Sequence, residues 1–319
     1  MNRLTRRATL GAAASLLMAP AIAQSRTLTL VVPFPPGGST DALARMLQPK
    51  LQTILGQNVI VENKAGAASA LGAAYVAKGP TDGSSLLVTF DSHAVIPAIL
   101  NNPPLDVEKD LVPVNLVGTA PYVVATNAQK PYRTFADVVA AAKVDPGKVN
   151  YASVGIGTIG HLAMTLLAKR AGVQITHVPY RGGGPAMNDL IGGHVDLLCG
   201  SAALVSPQLA GGTVRPVMQM GDKRLALLKE TQTAIEAGFT GFEALAWWGV
   251  FAAAGTPPAT VERLSQAIRE TLSEREAAKR LEETQQMTLV LGNSAVFQDF
   301  FTRQVKVWGD VVRENNIRT

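Results

Sequence analysis

Two short stretches hold the residue types that could grip a ligand. In residues 33–40, PFPPGGST, prolines end an apolar run, Gly37-Gly38 free the backbone, and Ser39 and Thr40 are types that start a helix. A strand end, a glycine-rich loop and a helix N-terminus aim unpaired amide N–H groups and the positive end of a helix dipole at one place, which suits an anion. Residues 155–160, GIGTIG, repeat the arrangement after a second strand and before a second helix. The two starts are expected to face each other across a cleft and share one negatively charged ligand.

Other chemistries are less well supplied. GIGTIG is a literal G-x-G-x-x-G, but a dinucleotide site also needs an acid about 20 residues further on for the ribose. That region is Val173-Gln174-Ile175-Thr176-His177, and the next acid is Asp189. No Gly-Lys-Ser/Thr follows either loop, and neither Gly38-Ser39-Thr40 nor Gly200-Ser201-Ala202 is a nucleophile elbow. A hydrolase or transferase using Ser39 or Ser153 is an alternative, but no spacing supplies it with a base. His93, His161, His177 and His194 show neither H-E-x-x-H nor cysteine pairing, so no metal is expected. Cys199 is the single cysteine; it lies in an apolar run and is expected to be a buried small hydrophobe without a disulfide. Three side chains are ambiguous. Asp41 either supports the helix dipole or faces the cleft, where it would repel a carboxylate and favour an ammonium. His161 either packs against the helix start or points into the cleft. Arg181 is either a cleft cation or a solvated loop residue.

The elements that position these residues alternate. Strands are expected at 28–32, 58–62, 85–89, 150–153, 175–178, 195–199, 214–220 and 288–291, with apolar runs at 111–117 and 122–126 and an extended stretch at 242–253. Helices are expected between them, among them 69–78, 94–100, 134–143 capped by Thr134, 161–171 closed by Gly172, 186–191, 261–272 and 274–283. Alternation of this kind predicts βαβ units and a largely parallel sheet. A last helix, 294–315, carries Phe297, Phe300, Phe301, Val305 and Trp308 at helical spacing, a stripe most simply explained by packing.

The N-terminus is expected to be an address and not part of the fold. Arg3, Arg6 and Arg7 precede a short apolar core, and Ala21-Ile22-Ala23 is an A-x-A cleavage pattern, so residues 1–23 form a signal peptide. Arg6-Arg7, with Thr5 and Leu10, resembles a twin-arginine signal; an ordinary secretory signal fits equally. The whole chain has 29 basic and 24 acidic residues, but removal of the signal leaves 26 against 24. No basic surface for nucleic acid is therefore expected, and attraction for an anion has to be local.

The motifs PFPPGGSTDALAR at 33–45 and HVPYRGGGPAMNDLIGGHVD at 177–196 resemble those of the solute-binding proteins of tripartite tricarboxylate transporters, the Bug-type receptors. Glu62-Asn63-Lys64-Ala65-Gly66, Ser92-His93-Ala94 with Pro97, and Tyr151-Ala152-Ser153 with Gly157, Thr158 and His161 resemble further segments of that family, in order along the chain. The sequence departs from the family's pattern at Ala65, where proline is usual, and at Phe90-Asp91, where small residues are frequent.

The order of elements reads as two α/β lobes joined by two hinge crossings, near Ala125 and Trp248, and the resemblance implies an α/β, two-lobed periplasmic binding protein (type II-like) fold with the ligand cleft between them. Lobe one would comprise 26–124 plus 248–319, and lobe two 125–247. It further implies a periplasmic monomer without cofactor, metal or catalytic residues, which captures a small organic acid for integral-membrane transporter subunits. Carried onto this sequence, the ligand contacts would be Phe34, Gly37, Gly38, Ser39, Thr40, Ser92, His93, Ser153, Gly157, Thr158, His161, Tyr180, Arg181 and Gly182. A sensor docking a periplasmic kinase domain is the alternative role.

Overall fold

The computed structural model describes residues 27–209 and 211–317; the expected signal peptide lies outside them. Strand β1 (Leu28–Val32) leads into α1 (Ser39–Leu55), then β2 (Val59–Asn63), α2 (Ala70–Ala77) and β3 (Ser85–Phe90). Both β2 and β3 pair with β1 in parallel, as βαβ crossovers require. A 3₁₀ turn, Asp91–Val95, and the short α3 (Ile96–Ile99) follow.

The next strand, β4, runs unbroken from Leu111 to Asn127, where the sequence offered two separate apolar runs. Gly118-Thr119-Ala120-Pro121 weakens the apolar signal without ending the strand, although its register against β9 shifts between Leu116 and Gly118. Proline lacks an amide hydrogen, and Pro121 stands where β4 exchanges partners. Up to Pro121 it pairs with β9 (Leu245–Ala253), and from Tyr122 with β7 (Leu197–Ser201). The next elements in chain order are α4 (Phe135–Val144), β5 (Asn150–Ser153), α5 (Ile159–Ala171) and β6 (Thr176–Pro179). Then come α6 (Gly183–Ile191), α7 (Ala202–Leu209) after β7, and β8 (Val214–Gln219). After β9 the chain ends in α8 (Pro258–Ser273), α9 (Arg275–Gln285), β10 (Thr288–Gly292) and α10 (Ser294–Glu314).

Strand order is β2-β1-β3-β9-β4-β7-β5-β6, with β8 and β10 also on β4. The sheet is less parallel than expected. β9 is antiparallel to β3 and β4, and β4 is antiparallel to β7, β8 and β10. A helical crossover enforces parallel pairing only between the strands it joins, and the strands that carry the chain from one half-sheet to the other are not so joined. At the exchange point three backbone bonds close a triangle: Tyr122 N to Ala244 O at 2.9 Å, Ala244 N to Met220 O at 2.9 Å, and Met220 N to Tyr122 O at 2.8 Å. Pairing thus changes at 121–122 and 244–245, whereas Ala125 and Trp248 lie inside continuous strands.

The core fills both faces. The α10 stripe is packing: Phe297, Phe301 and Trp308 are buried, and Trp247 meets Phe297 edge-on at 5.6 Å. That contact dictates Gly249, where a Cβ would fall 2.0 Å from Phe297 Cζ. Thr134 caps α4 in a capping box with Asp137. Cys199 is free and buried, and burial pushes its thiol up.

Candidate functional site

A cavity of about 770 Å³ opens at the carboxyl ends of β1, β3, β5, β6 and β7, where ligands bind in open α/β sheets. One half-sheet contributes the β1–α1 loop, Phe90, Asp91 and Ser92 after β3, and Thr284 and Gln285 at the end of α9. The other contributes Val154, Thr158, Gly182 and Gly183, with Gly200, Ser201 and Leu204 at the start of α7. Tyr122 stands between them at the strand exchange.

The β1–α1 loop is braced from behind. Asp41 is 3% exposed and turned away from the cavity. Its Oδ2 accepts from Gly37 N at 3.0 Å and Arg45 Nε at 2.9 Å, and its Oδ1 from Asn63 Nδ2 at 2.9 Å. Burial alone would raise this carboxyl; the bonds from Arg45, Gly37 and Asn63 outweigh it and hold the group at about 2. Gly37, at φ +89°, therefore lines the cavity with its amide already engaged. The first turn bond of α1 runs from Ala42 N to Gly38 O at 2.9 Å, so the amides of Ser39 and Thr40 come before it and lack a helical partner. Trp248 Nε1 donates to Ser39 Oγ at 3.3 Å, and Gln285 Nε2 donates to Ser39 O at 3.1 Å. The helix start is thereby fixed by residues from the far end of the chain.

The opposing loop differs from expectation. Ser153 is fully buried, its Oγ 2.7 Å from His177 Nε2 and 3.0 Å from Gly155 O. His161 Nδ1 accepts from Gly157 N at 3.1 Å, so this ring caps the helix start instead of entering the cleft. It stacks on His177 with centroids 3.8 Å apart, and His177 stacks on Tyr151 at 4.9 Å. Burial lowers both imidazoles to about 4, helped in His177 by His161. Gly157, at φ +74°, lies under Ile99 of the other half, which a Cβ would meet at 3.0 Å. Gly160 fits because a Cβ there would stand 2.5 Å from the Cys199 carbonyl, so the third glycine of the motif serves helix–strand contact. Ser153, Gly157 and His161 thus form a buried rib beneath the loop, and Thr158 is the residue of that group that lines the cavity.

His93 is also displaced from its expected role. It is fully buried beside Phe251 and Phe301, at 5.2 and 5.6 Å, and burial lowers it to about 3. The 3₁₀ turn explains this: successive side chains point about 120° apart, so Ser92 faces the cavity and His93 the core. The Tyr180 hydroxyl donates to Asp189 at 2.6 Å, and burial, with Asp189, pushes the phenol up to about 12. Arg181 is exposed and does not line the cavity; Gly182, at φ +111°, does. Phe34, Gly37, Gly38, Ser39, Thr40, Ser92, Thr158 and Gly182 are brought together.

Sequence reasoning marked Asp91 as a departure from the family's pattern but not as a cavity residue, and missed Tyr122, Ser201 and Gln285. Asp91 is 2% exposed and accepts from the Tyr122 hydroxyl at 2.8 Å. Burial raises its carboxyl to about 8, against the pull of Tyr122 and the Ser92 amide. Burial and Asp91 together push the Tyr122 phenol well up. Gln285 Oε1 is buried without a partner. Asp91 and Ser201 stand at strand ends, a usable signal; Tyr122 and Gln285 needed the tertiary fold. Among the described residues no cluster of His, Cys, Asp or Glu could hold a metal.

The sequence model of the tripartite tricarboxylate transporter family receptor matches residues 43–317. The chain belongs to this receptor family. The receptor is 38% identical over 91% of its length to 86% of a protein from the tcbD-tcbE intergenic region of Pseudomonas sp.. It is 34% identical over 92% of its length to 90% of protein BugT of Bordetella pertussis. Among solved structures it resembles R. palustris Rpa4515 with adipate (TM-score 0.82, 30% identity, 92% of this chain and 99% of that one). It likewise resembles MatC from Rhodopseudomonas palustris with bound malate (TM-score 0.77, 30% identity, 90% and 99%). Periplasmic binding protein BugD gives a TM-score of 0.79 at 30% identity over 92% and 99%. Members of the receptor's family are periplasmic solute-binding proteins, and the fold is the two-lobed α/β fold of that class.

Proposed function

We propose that this receptor is exported, captures a small organic acid in the cleft between its half-sheets, and presents it to integral-membrane subunits of a tripartite transporter. The single observation that carries this reading is the start of α1, whose Ser39 and Thr40 amides lie before the first helical bond and line a cavity closed opposite by Thr158 and Gly182. Micromolar affinity corresponds to about 8 kcal/mol. A helix end contributes roughly 0.3–2 kcal/mol toward an anion, and each hydrogen bond to a charged group about 1.5–3. A few such donors, with the hydroxyls of Ser92 and Ser201, reach that figure after association costs. The adipate and malate carried by the two related structures belong to the same chemical class.

The lobes would pivot where β4 and β9 change partners, at 121–122 and 244–245. No catalytic role is assigned. The Ser153–His177 pair is buried away from the cavity, and Ser39 Oγ accepts from an indole with no histidine beside it. Titration calorimetry on the chain without residues 1–23, against mono-, di- and tricarboxylates, amino acids, amines and sugars, tests the reading. One-to-one binding of an acid is expected; binding confined to sugars or to amines without a carboxylate overturns it.

A further inference from the structure

Asp91 is an unusual floor for an anion site. Among the described residues that line the cavity it is the one acidic side chain, and no lysine, arginine or histidine accompanies it. Its surroundings supply no counter-charge. Tyr122 on β4 donates to it, Cys199 on β7 lies behind Tyr122, and His93, two residues on, is turned into the aromatic core. The Ser92 amide is its other partner. Two donors leave acceptor capacity on a carboxylate, which offers about four lone-pair sites. Gln285 Oε1, 4% exposed by residue and without a partner, is a second buried acceptor of the same cavity. The walls are apolar: Phe34, Phe90, Val154 and Leu204. Donors are thus offered by the α1 start and acceptors by the floor, and a second ligand carboxylate could be met only by a protonated Asp91, since no cation of the cavity offsets an ionised one.

Resting on the carboxylate-receptor reading above, we propose that Asp91 determines specificity by pairing with a protonated nitrogen, so that the ligand class is a small amino acid with an apolar body and not a di- or tricarboxylate. The carboxylate of such a ligand lies at Ser39 and Thr40, and its ammonium completes the charge that burial otherwise disfavours at Asp91. Because the empty site holds that carboxyl at about 8, docking of an ammonium expels one proton. Apparent affinity then tightens roughly tenfold per pH unit from pH 6 toward 7.5 and levels above about 8. A protonated Asp91 donating to a ligand carboxylate gives the opposite slope, with weakening above about pH 8.

Calorimetry on the chain without residues 1–23, at pH 6, 7 and 8, separates the two. The probes are matched skeletons: 6-aminohexanoate, hexanoate and adipate, and L-leucine with 4-methylpentanoate. At least one amino acid is expected to bind about ten- to a hundredfold tighter than its deaminated or diacid counterpart, and Asp91→Asn to compress that preference to within about threefold by weakening the amino acid. Asp91→Ser serves as the second variant if the amide does not fold. Equal or tighter binding of adipate, an intact preference in the variants, or a falling affinity from pH 6 to 8 overturns the assignment while leaving a carboxylate receptor. Silence toward every carboxylate overturns both readings.

Discussion

Asp41 is the brace of the ligand loop, and its removal has a calculable signature. The carboxyl stands at about 2 in the folded chain against an ordinary 3.8, so the folded state favours its ionised form. The shift is worth about 2 kcal/mol at neutral pH, an upper figure because its partner Arg45 is half exposed. The sign follows from the depressed value. The contribution is complete above the unfolded carboxyl's range, falls to about half near pH 3, and vanishes below about 2. Asp41→Asn keeps the shape but offers one acceptor atom where two are used, so either Asn63 or the Gly37–Arg45 pair faces a donor. Urea unfolding at pH 7, 4.5 and 3 is the assay. A loss of about 2 kcal/mol at pH 7 that shrinks to about 1 at pH 3 is expected, with weaker ligand binding as the loop loosens. A gap that does not change with pH would refute the reasoning, since charge would then play no part.

Gly157→Val is expected to cost about 1–3 kcal/mol through its positive φ and the Ile99 contact, and to weaken ligand binding by displacing the neighbouring Thr158. Thermal melts check it, and adding Ile99→Ala should recover the steric share alone. His161 and His177 are held neutral by burial, so the unfolded chain takes up their protons first; stability falls as pH drops from about 6.5 toward 4, and a melt series on His161→Gln should show a shallower fall. Arg181→Ala changes ligand affinity by less than about twofold by calorimetry, because the side chain is exposed outside the cavity.

Local chemistry was legible in the sequence wherever the determinant was local. The β1–loop–α1 unit, the Thr134 cap, the buried Cys199 and the α10 stripe all announce themselves within a few residues. What a loop residue faces is a different matter. Ser92 and His93 are neighbours in sequence, yet a 3₁₀ turn sends one to the cavity and the other to the core. The Gly157 amide, free by its place in a glycine-rich loop, is taken by His161 Nδ1 four residues on. Ser39 is held by Trp248 and Gln285, 209 and 246 positions away, contacts that no spacing could disclose. The partner exchange inside β4 does leave a mark, the gap at 118–121 between two apolar runs, but in one dimension that gap reads as the end of one strand and the start of another.

The backbone triangle of Tyr122, Met220 and Ala244 limits how the two halves can travel. A register slip of β4 against its neighbours would sever the two bonds that Tyr122 makes, whereas a swing about their common level would keep all three. The closure proposed above would then follow one angular coordinate, like that of a book on its spine. For the transporter subunits proposed above, the distance between the two rims would then report whether the pages are shut, with no need to inspect the cargo.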